Sequence, residues 1–286
     1  MTKQQKTPAA ANEQLPVKPQ AHLPAKVHDY GEFAGDGFQG ATAADFAVPF
    51  LNIIQAGSNK TMERVQGAVP GMLINSVTNQ LYNGKDGVLF VPCARQHQFV
   101  EWIPRNKGGG IAARHEPTSK VVMEAKARCE FGEYVTPNGN DLVETFYLTG
   151  YLLSDVNDLT PDGVIVIPFS STKIKAYKSI MQTLNTFKGR PPLFANRLKV
   201  TVFSDQNKKG NFFNLSVAPA LGGVAESLIP LRLEDGSVNP LLVFGKELNQ
   251  QILSGTRQMA DESATRDEGG SDSDPAPSVG GEDLPF

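Results

Sequence analysis

The sequence predicts a β-rich α+β protein, and three observations indicate this class. From residue 71 onward, short runs of β-branched and aromatic residues alternate with turn signals. Helices are expected in few places, namely a short one within 41–57, an amphipathic one after Ser170 or Ser171 and a short one over residues 241–253. The composition, 40% hydrophobic and 20% charged, excludes collagen, wholesale disorder and a disulfide scaffold.

The strand signals are evenly spaced, as is typical of a β-meander or barrel. We expect strands over residues 71–77, 87–93, 98–103, 120–125, 128–135, 143–153 and 163–169. An amphipathic helix then carries Ile174, Tyr177, Met181 and Leu184 on one face and stops at Gly189 and Pro191. Two further strands, 197–203 and 211–217, bracket the polar turn SDQNKKG and predict a long hairpin.

Composition divides the chain into three parts. Residues 1–30 are rich in Pro, Ala, Gln and Lys, which predicts a flexible arm. Residues 31–256 form the predicted β-rich domain, in which 41–57 should be a short helix that turns into an extended piece at Pro49. Residues 257–286 form a predicted disordered acidic tail. Within it, 258–286 carry a charge of −7, which leaves +4 on the rest of a chain of net charge −3.

Several patterns that resemble chemical motifs have simpler explanations. GDGFQG at 35–40 lacks the preceding strand and following helix of a dinucleotide site. Ser170 and Lys173 match SxxK without its companion motifs, so helix capping is favoured. Reduced thiols are favoured over a disulfide or zinc site for Cys93 and Cys129. We therefore expect no enzyme activity, cofactor or metal. The absence of an apolar span or signal peptide predicts a cytoplasmic protein without a membrane partner.

The strongest local bias is a cationic stretch between residues 171 and 209, where nine bases face one acid, Asp205. We predict that these bases contact phosphates, together with two bases near a Gly-rich loop, unless they form only a solvated face. The candidate contacts are Lys173, Lys175, Lys178, Lys188, Arg190, Arg197, Lys199, Lys208 and Lys209, with Arg105 and Lys107. Arg114 and His115 follow that loop and belong to the same second cluster.

Strand alternation predicts aromatic rings beside these cations. On 197–203, Arg197, Lys199, Thr201 and Phe203 should face outward, and on 211–217 so should Phe212, Asn214 and Ser216. Unpaired bases stack on flat rings, so the candidate stacking residues are Trp102, Phe203, Phe212, Tyr147 and Tyr151. For each ring, packing in the core remains the alternative.

The end of the chain carries the most specific likeness. Glu282, Asp283, Leu284, Pro285 and Phe286 resemble the acidic tip of bacterial single-stranded DNA-binding proteins and the acidic, Phe-terminated tails of their bacteriophage counterparts. FAVPFLNIIQAGS and EWIPRNKGGG also resemble segments of phage proteins. The resemblance implies an OB-fold-like antiparallel barrel with embedded helices, and a tip that binds replication or recombination proteins.

The residues and the resemblance together lead to one hypothesis with two rivals. We expect a non-enzymatic protein that coats and protects single-stranded DNA in phage replication, recombination or repair, within the host cytoplasm. The rivals are a phage structural or assembly protein with a β-rich body and a DNA-processing enzyme. The sequence leaves open the choice between DNA and RNA, the site size, the tail partners and the oligomeric state, including a homo-oligomer.

Overall fold

Nine β-strands and five α-helices build the part of the chain that the computed structural model describes. That part comprises residues 37, 40, 47–130, 132–207 and 210–260, without the side chain of Arg105. The chain divides into two units, Met1–Gly40 and Ala41–Phe286, and the elements below belong to the second. The predicted N-terminal arm and residues 261–286 of the predicted tail lie outside the described residues.

The strands differ greatly in length, and two of them dominate. They are β1 Leu51–Ile53, β2 Leu73–Asn75, β3 Leu81–Tyr82, β4 Val88–Trp102, β5 Ile111–His115, β6 Asp141–Leu153, β7 Gly163–Ser170, β8 Leu198–Asn207 and β9 Gly210–Pro219. The helices are α1 Asn59–Arg64, α2 Lys120–Arg128, α3 Ile174–Thr186, α4 Val224–Ser227 and α5 Pro240–Leu253. The β-rich α+β class is therefore confirmed.

The larger sheet runs in the order β7-β6-β4-β8-β9, and all of its pairings are antiparallel. A sixth strand, β5, pairs with the far end of β4 on the same side as β8. β1, β2 and β3 form a separate antiparallel sheet. Closure into a barrel would require a pairing between β7 and β9, and the described residues contain none. The OB-fold barrel is therefore not confirmed.

Both faces of the larger sheet are covered. On one face α5 packs Leu241 and Leu248 against Val91, Tyr147 and Tyr151. On the other face, Tyr177 of α3 and Leu51 of β1 belong to the core around Phe90, Leu148 and Ile165. Helix α5 begins at Asn239, whose side chain accepts a hydrogen bond from the Leu241 N–H, and Pro240 occupies its first turn.

The interior of the sheet corrects one sequence expectation. Residues 87–93 and 98–103 were expected as separate strands, but they belong to one 15-residue strand, β4. A register shift between Pro92 and Ala94 accommodates the proline, which has no N–H to give to a ladder. The polar stretch between the two apolar runs stays extended because it pairs with β6 along its whole length.

The region after β5 corrects a second sequence expectation, the strands predicted over 120–125 and 128–135. Residues 120–125 form helix α2 rather than a strand, because the Ser119 side chain accepts from the Val122 N–H and caps the helix. Val122 and Ala125, three residues apart, pack together on Phe99. The described residues of 128–135, which exclude 131, hold no strand beyond an isolated bridge at Val135. The expected helix within 41–57 is not observed over 47–57, and 41–46 lie outside the described residues.

Other predictions are confirmed with small changes of boundary. The strands expected over 143–153 and 163–169 are β6 and β7. The expected amphipathic helix is α3, and the hairpin is β8 and β9. The helix expected over 241–253 is α5. The two helices carry apolar residues at helical spacing and residues 197–203 alternate, while 143–153 and 163–169 are runs of β-branched and aromatic residues, which makes these segments readable from sequence.

Candidate nucleic-acid interface

The outward face of the β8–β9 hairpin is the surface that best fits the predicted interface. Leu198, Val200 and Val202 of β8 are buried, whereas Phe203 is 44% exposed. Lys199 and Thr201 share the face of Phe203 and are half-buried. The alternation predicted for this strand is therefore confirmed from residue 198 to residue 203.

The register brings a second ring to the same face. Asp205 pairs with Phe212 and Phe203 pairs with Asn214, so the two phenylalanines are diagonal neighbours. Diagonal neighbours on a sheet lie about 7 Å apart, within reach of aromatic side chains. Phe212 is half-buried, so part of its surface remains accessible. We call Lys199, Phe203 and Phe212 the hairpin platform.

Two side chains expected to face outward on the hairpin are buried instead. Asn214 is buried, and its Nδ2 donates to Asp205 Oδ2 at 3.1 Å. This bond occupies the carboxylate of Asp205, which is the direct cross-strand partner of Phe212. Arg197, predicted as a phosphate contact, is only 8% exposed. Burial lowers the pKa of its guanidinium, so Arg197 is a structural residue of the core margin rather than a surface cation.

The edge strand β9 is held by one buried amide. The Gln55 side chain accepts from the Phe213 N–H at 2.9 Å and donates to the Phe213 carbonyl at 2.8 Å. Phe213 also packs at the margin of the core. These contacts hold Phe213 in place. They therefore also fix the position of the neighbouring residue Phe212 on the outer face of the hairpin.

The lysines of α3 lie on the opposite side of the sheet from the hairpin platform. Ile180 and Leu184 of α3 pack with Leu198, whose side chain points away from Lys199. Lys175 and Lys178 are exposed and Lys173 is half-buried. Lys188 and Arg190 are exposed beyond the helix end. The cationic stretch predicted from the sequence is therefore divided between the two faces of the sheet.

Some predicted contacts cannot be placed. Lys208, Lys209 and the side chain of Arg105 lie outside the described residues, as do all five residues of the tip. The tip comprises Glu282, Asp283, Leu284, Pro285 and Phe286.

Three of the five predicted stacking residues lie in the core. Tyr147 and Tyr151 are fully buried, and Trp102 is nearly so. The Tyr151 hydroxyl donates to the Leu241 carbonyl of α5 at 3.0 Å, and burial raises the pKa of this phenol. Arg114 Nη1 donates to the Tyr147 hydroxyl at 2.7 Å. Stacking by these rings is a wrong prediction, because α5 covers the face of the sheet that they occupy.

The second cationic cluster is also mainly structural. His115 Nε2 lies 2.8 Å from Glu101 Oε2, while Thr136 and Asn140 donate to Glu101 Oε1 at 3.1 and 2.7 Å. Burial opposes ionisation of Glu101, but the hydrogen bonds from His115, Asn140 and Thr136 outweigh it and lower the pKa of this carboxyl. Lys107 is exposed.

Sequence reasoning missed a cleft beside the middle of β4. It has a volume of about 760 Å³, and its floor includes Arg95, Gln96, His97 and Gln98. The only sequence signal was this polar run inside an otherwise apolar strand. Periodicity gives no hint of the cleft, because the gap is created by where β5 and β8 end.

The described residues contain no group of three or more His, Cys, Asp or Glu that could hold a metal ion. Cys93 and Cys129 are free, and burial raises the pKa of the Cys93 thiol. Among the helices of this part of the chain, none is long and apolar enough to cross a membrane.

Comparison with known proteins assigns a family. A family model described as Pam3 phage gp34-like protein matches residues 17–228, well over half of the chain. The chain belongs to the Pam3 phage gp34-like family. The region shared with this phage family includes all nine described strands and ends before α5. No curated protein and no solved structure matches the chain.

Proposed function

We propose that this member of a phage protein family binds single-stranded DNA on the hairpin platform. The observation that carries the proposal is the exposure of Phe203 with Phe212 diagonal to it on the same strand face. Phe203 exposes a large apolar ring to solvent, and half-buried Phe212 keeps part of its ring accessible beside it; an exposed apolar surface of this kind favours a binding role.

The chemistry of the platform suits unpaired bases. Each base stacked on an aromatic ring contributes about 1–3 kcal/mol, without regard to sequence. Lys199 lies on the same face and can neutralise a phosphate, which releases counterions and makes binding depend on salt. In duplex DNA the base faces are covered by their neighbours, so the rings would have nothing to stack on. The platform therefore favours single strands over duplexes.

In this proposal the protein is a binder and not an enzyme. It coats and protects single strands during phage replication, recombination or repair. The tip, Glu282 to Phe286, then recruits replication or recombination proteins, as its resemblance to the tips of single-stranded DNA-binding proteins implies. The acids of the tip speed encounter with a basic partner, and Phe286 with its carboxylate enters an apolar pocket there.

The test of DNA binding is a fluorescence titration of the full chain at several salt concentrations. The probes are a labelled oligo(dT), the matching duplex and an oligo(U) of the same length. We expect the oligo(dT) to bind more tightly than the duplex and to weaken as salt rises. Equal affinity for the duplex would contradict the platform. Binding that is absent at every salt concentration would instead favour a phage structural or assembly protein.

The tip is tested separately by deleting Phe286 alone. We expect replication or recombination proteins to be lost from pull-downs from infected cells, while the affinity for oligo(dT) stays within about twofold. Replacing Glu282 and Asp283 by Gln and Asn is the charge control, which should slow recruitment and also change DNA binding slightly at low salt. Retention of all partners without Phe286 would refute the assigned role of the tip.

A further inference from the structure

The central strand β4 has a gap in its pairing on one side. On that side β8 pairs with residues 88–90 and β5 pairs with residues 99–102. For residues 94–98 the described part of the chain provides no strand partner there, although β6 pairs with them on the other side. A buried sheet normally has its backbone groups paired, so a gap in the middle of a sheet needs an explanation.

Neighbouring hydrogen bonds identify the backbone groups that face the gap. The Ile103 N–H donates to the Gly110 carbonyl on the β5 side, and the Leu142 N–H of β6 donates away from β4 to the Tyr134 carbonyl. Alternate residues of a strand direct both backbone groups to the same side. The N–H and C=O groups of Arg95 and His97 therefore point into the gap, while those of Gln96 pair with β6.

The cleft described above follows this gap and has the form of a slot for an extended chain. Met181 of α3 forms one wall, and Asn249 and Leu253 of α5 contribute to the other. Leu193 and Phe194, just before β8, close one end, and Glu116 and Pro117, just after β5, close the other. The strands at both ends run antiparallel to β4, so a strand inserted between them in that direction would complete the sheet.

His97 of the slot is paired, since its Nε2 lies 2.9 Å from Glu144 Oε1, but three other side chains lack complementary partners in a way that indicates the ligand. Arg95 is exposed, and no acid or other partner is paired with it in the described part of the chain. On the opposite face of β4, Gln96 Oε1 and Gln98 Oε1 are buried, and the described residues supply no donor to either. An extended ligand would meet a cation on the α3 side and the two half-buried glutamine side chains on the α5 side.

We propose that the slot binds a short extended peptide of a partner protein, antiparallel to β4. The peptide carries a carboxylate side chain toward Arg95 and hydrogen-bond donors, such as Asn, Ser or Thr, toward Gln96 and Gln98. A peptide is favoured over a nucleobase because Arg95 and His97 are two residues apart, about 6.7 Å along the strand. Two alternate residues of a peptide match this spacing. This interaction is independent of the proposed DNA-binding platform.

The experiment selects a displayed library of random heptapeptides on the full chain and measures enriched peptides as synthetic probes. Hydrogen exchange at single-residue resolution should show new protection at the Arg95 and His97 amides, with no change at Gln96 and Gln98. In R95P, which removes one N–H of the gap, affinity should fall at least tenfold. R95A keeps the backbone N–H and C=O groups, so its affinity should fall by less than that of R95P. This loss should occur only for peptides that carry a carboxylate.

Controls separate binding from folding. Thermal unfolding should show R95P near wild type, because that N–H is unpaired, and Q96P strongly destabilised, because its N–H belongs to the β6 ladder. If R95P does not fold, Met181→Trp, which narrows the slot from α3, should abolish binding. The proposal is overturned if no peptide is enriched, or if enriched peptides bind R95P unchanged. The proposal would also be overturned if oligo(dT) protected the Arg95 and His97 amides from exchange. The same holds if the only peptide that protected them were one with the sequence of residues 277–286.

Discussion

Strand β6 and the β8–β9 hairpin carry similar alternating aromatic patterns but use them in opposite ways. On β6, Tyr147 and Tyr151 are fully buried under α5, and the rings of Tyr151 and Phe244 form a T-shaped pair with centroids 5.2 Å apart. On the hairpin, Phe203 keeps 44% of its surface exposed. Alternation thus tells which residues share a face of a strand, and the position of the strand decides whether that face is covered.

The difference follows from the distance of each strand from the centre of the sheet. β6 lies between β4 and β7, where helices or strands cover both faces. β8 pairs with β4 only at its first residues, 198–200, and the rest of the hairpin extends past this contact. The inner face of the hairpin packs into the core through Val202 and Leu215, while its outer face is partly exposed to solvent.

The largest expected effect comes from removing a ring of β6. Tyr151→Ala should lower the free energy of unfolding by about 3–5 kcal/mol, because a large cavity forms and the hydrogen bond to the Leu241 carbonyl is lost. Phe203→Ala should cost less than about 1 kcal/mol, as is usual for an exposed site. Denaturant unfolding of both variants measures the contrast. Equal midpoints would show that the two rings have the same environment.

The same contrast explains how far sequence reasoning could succeed. The segments 143–153, 163–169 and 197–203 each became a strand, and on 197–203 the alternation placed Leu198, Val200 and Val202 inward as expected. The burial of Tyr151 depends on α5, nearly a hundred residues later, which no local pattern predicts. The KVVMEA segment failed for another reason, since a Ser119 cap and packing on Phe99 overcame the β-propensity of its valines.

The sequence predicted which residues are cationic, but not which of them share a face of the sheet, because that depends on tertiary packing. Lys175 and Lys199 are close in sequence, but Leu198 packs on α3 and directs Lys199 to the other side of the sheet. Charge counting along the chain cannot detect this separation, because it ignores the direction of side chains. The pairing gap beside β4 depends on where two distant strands end, and that is a property of the tertiary structure.

On the hairpin we expect a large effect on binding and a small one on stability. Phe203→Ala should weaken oligo(dT) binding by roughly 5- to 150-fold, which corresponds to about 1–3 kcal/mol of stacking, without changing its salt dependence. Phe212→Ala should show a smaller loss because that ring is half-buried. Leu221→Ala, which removes another exposed apolar side chain, is the matched control. Normal affinity in both Phe variants would exclude the hairpin platform.

A change at Glu101 tests whether the polar cluster of Glu101, His115, Thr136 and Asn140 is structural, although the sequence predicted a binding site there. The pKa of Glu101 is lowered in the folded protein, so its contribution to stability is present above the pKa of the unfolded chain and is lost as pH falls through the folded value. Glu101→Gln should therefore destabilise the protein by about 1–3 kcal/mol at pH 7 and reduce the loss of stability in acid. Thermal unfolding between pH 7 and 3 measures both. Since the cluster is structural, oligo(dT) affinity of the folded variant should not change.

The smallest expected effect is a change in the salt dependence of DNA binding, which shows which face of the sheet contacts the phosphates. If DNA follows the hairpin platform, Lys199→Ala should reduce the slope of log affinity against log salt by about 0.7, the value for one phosphate contact on a single strand. The double change Lys175→Ala and Lys178→Ala should leave the slope unchanged, because α3 lies on the other face. Lys246→Ala on α5 controls for net charge, since it removes an exposed cation elsewhere. A slope that falls by about 1.4 in the α3 variant and not in Lys199→Ala would assign the interface to helix α3. Among the described residues, no exposed ring accompanies the lysines of that helix. Binding there would be electrostatic alone and would not discriminate single strands from duplexes.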